Sequence, residues 1–250
     1  MARNRIICIT IVLTILIAAG MLCGQDPRIR PLLPQKPVTI TGEVSVILGG
    51  DGLPVVSPWF QIQRGSKPLS KLVVTLNGHK LRETMPGQYA GIRITDITPR
   101  PGLRLTFGIE SAAKPLTATG FPKTSILRGT VTIGSIAAIT SPASKSRLDL
   151  KGLGKALIIN WTGGTPAFQA SLLKTTAGSP LELFSRSGLP ARSCAVPTSL
   201  LAAGNTYSAG VHYTMGAFTF LSGKESPAIV ISSDSSVILR CSVFSDFAVN

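Results

Sequence analysis

A two-residue hydrophobic repeat in residues 157–173 limits the fold of this chain more than any other sequence feature. From Leu157 to Trp161, and again from Phe168 to Leu172, the side chains of one phase are all apolar. A period of two is typical of a strand that turns one face toward a core. The break between the repeats contains paired glycines and a proline, which indicate a turn. We therefore expect a β-hairpin with Trp161 at the centre of a core.

The same alternation recurs along the chain. Apolar residues occupy every second position from Leu103 to Ile109, which predicts a strand with one buried and one solvated face. Asn77-Gly78 is a strong signal for a tight hairpin turn. The chain of 250 residues contains 25 Gly and 18 Pro, as expected for many short strands joined by turns. These features predict an all-β fold.

We expect two tandem domains, which span residues 37–134 and 135–250. About seven short strands can be counted in the first of them, as in a β-sandwich. A Pro- and Ser-containing stretch at residues 139–144 indicates the extended entry to the second. The first domain is similar to immunoglobulin-like domains only in this general pattern. Its sequence contains no Cys, so a disulfide-centred immunoglobulin core is excluded there.

The second domain resembles a fibronectin type III module over roughly 110 residues. Trp161 lies late in the second predicted strand, and Phe168 begins the third. Residues 200–207 end in Gly204-Asn205-Thr206-Tyr207, which is similar to the entry of the sixth strand in that family. Phe168 departs from the family pattern, which has Tyr there. The resemblance implies a β-sandwich, and it implies no particular function.

The N-terminus has the layout of an export signal, which gives a predicted signal peptide or membrane anchor helix at residues 1–24. Arg3 and Arg5 precede an apolar run, and small residues follow at Ala18-Ala19-Gly20. Three outcomes stay open: cleavage, retention as a membrane anchor, and lipidation at Cys23. In each of them the body is exported to the cell envelope, the periplasm or the extracellular space. Residues 25–36 predict a Pro-rich spacer.

Two cysteines lie in the body of the chain. Cys194 alternates in phase with Val196, and Cys241 in phase with Leu239 and Val243, so both predict core-facing side chains. In an exported protein we expect them to form a disulfide. Two buried free thiols are the alternative.

No catalytic, cofactor or metal signature is found in the sequence, so we predict that the protein is not an enzyme and has no cofactor. His79 follows a turn, and His212 falls on the solvated face of its strand by phase. An alternative is a hydrolase with a site at the domain junction. It requires that His79 or His212 approach a carboxylate in a cleft.

The expected function is binding or scaffolding in the cell envelope. The net charge of +14 favours an anionic polymer, a glycan or an envelope protein as partner, with a membrane contact through the N-terminus. Basic residues are scattered and aromatics are few, so nucleic acid is disfavoured. Loop residues Gly163, Gly164 and Arg192 are candidate contacts.

An alternative within the binding class is a carbohydrate-binding or adhesion module. Trp59 and Phe60 are adjacent, so one of them must face outward if they lie on a strand. An exposed Trp59 among polar neighbours would favour carbohydrate binding, and burial of Trp59 would count against it.

Overall fold

The computed structural model describes residues 36–50, 54–91, 93–111, 127–177, 179–222 and 230–250. The predicted export segment at residues 1–24 and nearly all of the predicted spacer lie outside these residues. The described chain is all-β, and its only helical turns are 3-10 turns at Leu150–Leu153 and Thr198–Leu200. Among these residues no helix is both long enough and apolar enough to cross a membrane.

Nine strands of the described residues precede residue 134. In chain order they are β1 (Val38–Leu48), β2 (Pro54–Arg64), β3 (Lys67–Pro68), β4 (Leu72–Leu76), β5 (His79–Lys80), β6 (Arg82–Met85), β7 (Gln88–Ala90), β8 (Arg104–Ser111) and β9 (Leu127–Thr132). The predicted turn at Asn77-Gly78 is confirmed, because β4 and β5 pair across it. The alternation in β8 is confirmed as well, since Leu105, Phe107 and Ile109 are fully buried.

Nine more described strands follow. They are β10 (Ala138–Ser141), β11 (Ser146–Leu148), β12 (Ala156–Thr162), β13 (Phe168–Lys174), β14 (Leu181–Leu189), β15 (Ser193–Pro197), β16 (Thr206–Ala217), β17 (Thr219–Ser222) and β18 (Ser236–Val249). The long strands β16 and β18 pair with each other, and β18 alternates between buried and partly exposed residues along its length.

The strands form one large sheet and two smaller ones. The large sheet has the order β14-β13-β16-β18-β1-β2-β7-β6, with β11 beside β18 and β3 beside β2. The smaller sheets have the orders β10-β12-β15 and β17-β9-β8-β4-β5. At the centre of the large sheet β1 and β18 run parallel, so the first and last described strands are neighbours.

A single cluster of buried apolar side chains connects the three sheets. Phe60 of β2 contacts Phe107 of β8, with ring centroids 4.5 Å apart. Trp161 of β12 contacts Phe168 of β13 at 5.3 Å. Trp161 is 2% exposed, so its predicted place in the core is confirmed.

The hairpin predicted around Trp161 is wrong. β12 pairs with β10 and β15 in one small sheet, whereas β13 pairs with β14 and β16 in the large sheet. The intervening turn therefore carries the chain from one sheet to another. A two-residue repeat indicates which side chains face a core, and it does not specify the partner strand.

Two strand pairings cross the predicted domain boundary at residues 134 and 135. One is the parallel pair β1–β18, and the other is β9–β17. Residues Lys36–Asn250 accordingly form one compact unit by their backbone contacts. The division into two domains at residues 37–134 and 135–250 stays a prediction.

The predicted disulfide is not formed, because Cys194 and Cys241 are both free and buried. Cys194 lies on β15 opposite Ile159, and Cys241 lies on β18 of the large sheet. The two thiols thus belong to different sheets. Burial raises the pKa of Cys241 to about 11, and a hydrogen bond with the Tyr213 hydroxyl opposes that rise. The alternative of two buried free thiols describes the structure.

Candidate binding face

The large sheet has two chemically different faces. Along β1, β2 and β18, every second side chain is buried among apolar residues. The opposite phase carries mostly polar residues, with Ile47, Val55, Ile238 and Phe244 among them, and it stays partly or largely exposed. We call this surface the polar face, and define it by Thr41, Glu43, Ser45, Ser57, Trp59, Gln61, Thr214, Arg240 and Ser242. Trp59, Thr214 and Arg240 are its most exposed residues.

Trp59 is the most exposed aromatic side chain of the polar face. It is 43% exposed, whereas its neighbour Phe60 is fully buried. In register Trp59 lies opposite Glu43 on β1 and Ala90 on β7. From the sequence, an exposed Trp59 among polar neighbours is the observation that would favour a carbohydrate-binding surface, and the Trp59 side chain is exposed.

An ion pair between Arg240 and Glu43 lies on the polar face. Arg240 Nε lies 3.2 Å from Glu43 Oε2, and the Ser45 hydroxyl donates a 2.6 Å hydrogen bond to Glu43 Oε1. Both oxygens of Glu43 are therefore engaged. The Arg240 side chain is 56% exposed and that of Glu43 is 32% exposed. At such exposure the pair adds little stability, but it fixes where the Arg240 guanidinium lies.

A chain of three polar side chains lies beside this ion pair. Ser171 Oγ is 2.9 Å from His212 Nε2, and His212 Nδ1 is 2.8 Å from Ser242 Oγ. The three residues come from β13, β16 and β18, which are neighbours in the large sheet. Phe244 packs edge-on against the imidazole, with ring centroids 5.4 Å apart.

The surroundings of Ser171 decide which nitrogen of His212 carries the proton. Ser171 is 1% exposed, and within the described chain its hydroxyl has no hydrogen-bond partner except His212. A buried hydroxyl that does not donate costs about 1–3 kcal/mol. Ser171 therefore donates to Nε2, and Nδ1–H donates to Ser242 Oγ. This leaves the Ser242 hydroxyl hydrogen free to bind an acceptor above the polar face.

Gly210 makes room for this chain of hydrogen bonds. It lies opposite Ser171 on one side and Phe244 on the other. A Cβ atom there would meet Ser171 Oγ, Phe244 Cε1 at 2.9 Å and His212 Nε2 at 3.0 Å.

Burial lowers the pKa of His212, nearby Arg240 lowers it further, and Glu182 opposes both. Burial thus favours the neutral imidazole, and the two serines hold its orientation.

The other candidate contact residues lie elsewhere. Arg192 Nε donates to the Gly163 carbonyl at 3.0 Å, and the Gly164 N–H donates to Ser135 Oγ at 3.2 Å. Gly163, Gly164 and Arg192 therefore meet at the turn between β12 and β13, as a group separate from Trp59. Gly163 has a φ of 69°, a conformation that favours glycine. The role of this turn as a contact surface stays a prediction.

The two histidines bear on the hydrolase alternative in different ways. His79 Nε2 lies 3.3 Å from Asp96 Oδ2, so one His does approach a carboxylate. The pair is at the surface, with side chains 36% and 67% exposed, and not in a cleft. His212 bonds two serines instead. In the described part of the chain no three His, Cys, Asp or Glu side chains come together as metal ligands.

Sequence reasoning identified Trp59 but missed the Ser171–His212–Ser242 chain. The sequence did indicate that His212 faces away from the core, because it alternates with core-facing residues on its strand. Phase could not indicate that β13 and β18 flank β16, and that arrangement brings the two serines to the imidazole.

Comparisons with known proteins identify no family for this chain. No protein-family model matches the sequence, and no curated protein matches it. One similar solved structure comes from work on host cell surface retention of a 1.5-MDa bacterial ice-binding adhesin, with 14% identity and a TM-score of 0.25. That match covers 86% of this chain and 66% of the adhesin chain.

Another similar structure is a mutant of the major pilin from Streptococcus pyogenes. It has 9% identity and a TM-score of 0.12, and the match covers 86% of this chain and 100% of the pilin chain. At these TM-scores neither likeness carries an argument about this protein.

Proposed function

We propose that this protein is an exported, envelope-associated and non-enzymatic binding protein whose ligand is a carbohydrate held on the polar face at Trp59. The exposure of Trp59 among hydroxyl, amide and charged side chains carries this proposal. The negative face of an indole ring attracts the weakly positive C–H groups on the flat side of a sugar ring. The surrounding polar groups supply hydrogen bonds to sugar hydroxyls.

The order of the strands supports an extended binding surface. Neighbouring strands lie about 4.8 Å apart, so β2 and β18 are about 10 Å apart across the sheet. Arg240 lies two residues further along β18 than Ile238, which is in register with Glu43 and so with Trp59. Glu43 lies on β1, between these two strands. This span suits a ligand of two or more linked sugars better than a single small molecule.

We interpret the fold as two immunoglobulin-like sandwiches, the second similar to fibronectin type III modules, that share the large sheet. In this interpretation each small sheet covers part of the core face, as the Phe60–Phe107 and Trp161–Phe168 contacts suggest. The polar face is then left open on the opposite side. An envelope protein, an anionic polymer and a membrane contact through the N-terminal segment remain proposals for further partners.

Affinity electrophoresis of the full chain through gels that contain neutral or acidic polysaccharides tests this function. We expect retardation by at least one polysaccharide, and its loss in Trp59→Ala. Leu221→Ala is the matched control, because Leu221 is a 55% exposed apolar residue on β17 of another sheet. Equal retardation of both variants would refute a site at Trp59.

A further inference from the structure

A small polar pocket adjoins the polar face on the side away from Trp59. It has a volume of about 160 Å³ and lies among β13, β14, β16 and β18. Gln169, Ser187, Thr214 and Arg240 supply its polar side chains, and His212 forms part of its wall. Among the described residues that line it there is no carboxylate. The pocket therefore presents hydrogen-bond donors and the positive charge of Arg240, whose ion-pair partner Glu43 lies outside the lining.

Arg240 connects this pocket with the polar face. Its Nε pairs with Glu43 Oε2 at a distance of 3.2 Å. Within the described chain its terminal guanidinium nitrogens have no hydrogen-bond partner. These nitrogens form a planar fork that suits the two oxygens of a carboxylate. Glu43 thus fixes the guanidinium and leaves its donor end available.

His212 supports the same chemistry without charge of its own. Ser171 donates to Nε2, so Nδ1–H donates to Ser242, and the Ser242 hydroxyl becomes a free donor two residues from Arg240 on the same face. A hydroxyl that accepts one hydrogen bond is a stronger donor in the next. The neutral imidazole leaves Arg240 as the one positive side chain among the residues that line the pocket.

We propose that this pocket and the adjacent Ser242 hydroxyl bind the carboxylate of an acidic sugar, such as a uronic acid unit in a polysaccharide. Arg240 pairs with the carboxylate, and Thr214, Ser187 and Ser242 donate to its oxygens or to neighbouring sugar oxygens. This inference rests on the proposed function at Trp59. It adds that the ligand is an acidic glycan, with one sugar stacked on Trp59 and a carboxylate near Arg240.

Matched oligosaccharides provide the test. The full chain is titrated calorimetrically with hexamers of β-1,4- and α-1,4-linked glucose, and with the same hexamers oxidised at C6 to uronic acids. We expect at least about tenfold tighter binding of one oxidised hexamer than of its neutral parent, because charged hydrogen bonds are the strong ones. Arg240→Gln should remove most of this preference.

Two control variants separate the pocket from other effects. Glu43→Gln breaks the same ion pair as Arg240→Gln but keeps the guanidinium, so the preference for the acidic hexamer should fall less than in Arg240→Gln. Arg128→Gln removes one exposed positive charge from β9, outside the large sheet, and should leave the preference unchanged. A loss in Arg128→Gln as large as in Arg240→Gln would show that overall charge explains the preference, and would overturn the pocket.

The outcomes also distinguish the two proposals. If Trp59→Ala abolishes binding but neutral and acidic hexamers bind equally, the carbohydrate site stands and the acidic pocket is overturned. If acidic hexamers bind with no dependence on Trp59, the proposed site at Trp59 fails while Arg240→Gln still tests the pocket. If no hexamer binds, the pocket proposal is refuted for these glycans, and electrophoresis with longer polysaccharides decides the function.

Discussion

Trp59 and Phe60 are adjacent residues of one strand, yet they belong to two surfaces that are stabilised in different ways. Phe60 is fully buried on the core face and contacts Phe107 of another sheet. Trp59 is 43% exposed on the polar face, beside Glu43. The comparison shows that the core face uses apolar packing to join the sheets. The polar face carries one ion pair and side-chain hydrogen bonds, and keeps an aromatic ring exposed.

Substitution of these two neighbours should give the largest contrast in stability. Phe60→Ala should lower the free energy of unfolding by about 3–5 kcal/mol, because it leaves a cavity between two sheets. Trp59→Ala should lower it by about 1 kcal/mol or less, the usual contribution of a cross-strand pair. Urea unfolding followed by circular dichroism measures both. Similar losses in the two variants would contradict the division into two faces.

Gly210→Ala should destabilise the protein from the polar face. The added Cβ would crowd the Ser171 hydroxyl, Phe244 and His212, and such overpacking costs about 1–3 kcal/mol. Gly216→Ala is the matched control on the same strand, since its Cβ would meet only Val131 at an ordinary 3.6 Å. Equal midpoints for the two variants in urea would show that the Ser171–His212–Ser242 chain is not packed as described.

The pH dependence of stability should contain a smaller contribution from His212. Burial lowers the pKa of the folded imidazole, with help from Arg240 and against Glu182. As the pH falls below about 6.5 the unfolded chain takes up its proton first. The stability from His212 is therefore present above that pH and is lost toward the lower folded-state pKa. His212→Gln should flatten the slope in urea unfolding between pH 8 and 5, and an unchanged slope would contradict this.

Reductant should leave the thermal stability of the protein unchanged, and this is the smallest of the expected effects. Cys194 and Cys241 are free, so dithiothreitol should shift the Tm by less than about 1 °C in a Cys8→Ser/Cys23→Ser background. A thiol reagent should modify both cysteines only after unfolding, because burial raises the pKa of each. A fall in Tm of about 5 °C or more with reductant would show that Cys194 and Cys241 do form a disulfide.

The orientation of side chains could be predicted from the sequence, whereas strand partners could not. Alternation correctly placed Leu105, Trp161 and Cys241 toward the core, because a period of two follows from strand geometry alone. It predicted a hairpin for β12 and β13 and a disulfide for Cys241, and both are wrong. Each depended on which strands pair, and in this fold β1 and β18 pair from opposite ends of the described chain.

The candidate site divides in the same way. Trp59 could be found because adjacent aromatic residues on a strand must face opposite sides. The Ser171–His212–Ser242 chain could not be found, since its three residues come from separate strands and meet only through the register of β13, β16 and β18. The alternation pattern tells that a polar side chain points away from the core. The register between strands decides which polar side chains of other strands lie beside it.

The accessibility of Trp59 to a ligand is the most direct test of the account. The protein has two Trp, and Trp161 Nε1 is buried with no hydrogen-bond partner in the described chain. Trp161→Phe therefore removes no hydrogen bond and leaves Trp59 as the fluorophore. Acrylamide quenching is measured with and without a polysaccharide that retards the protein in gels. We predict weaker quenching and a blue-shifted emission when the polysaccharide is present. Unchanged quenching at saturation would mean that the ligand binds away from Trp59, and would contradict the account.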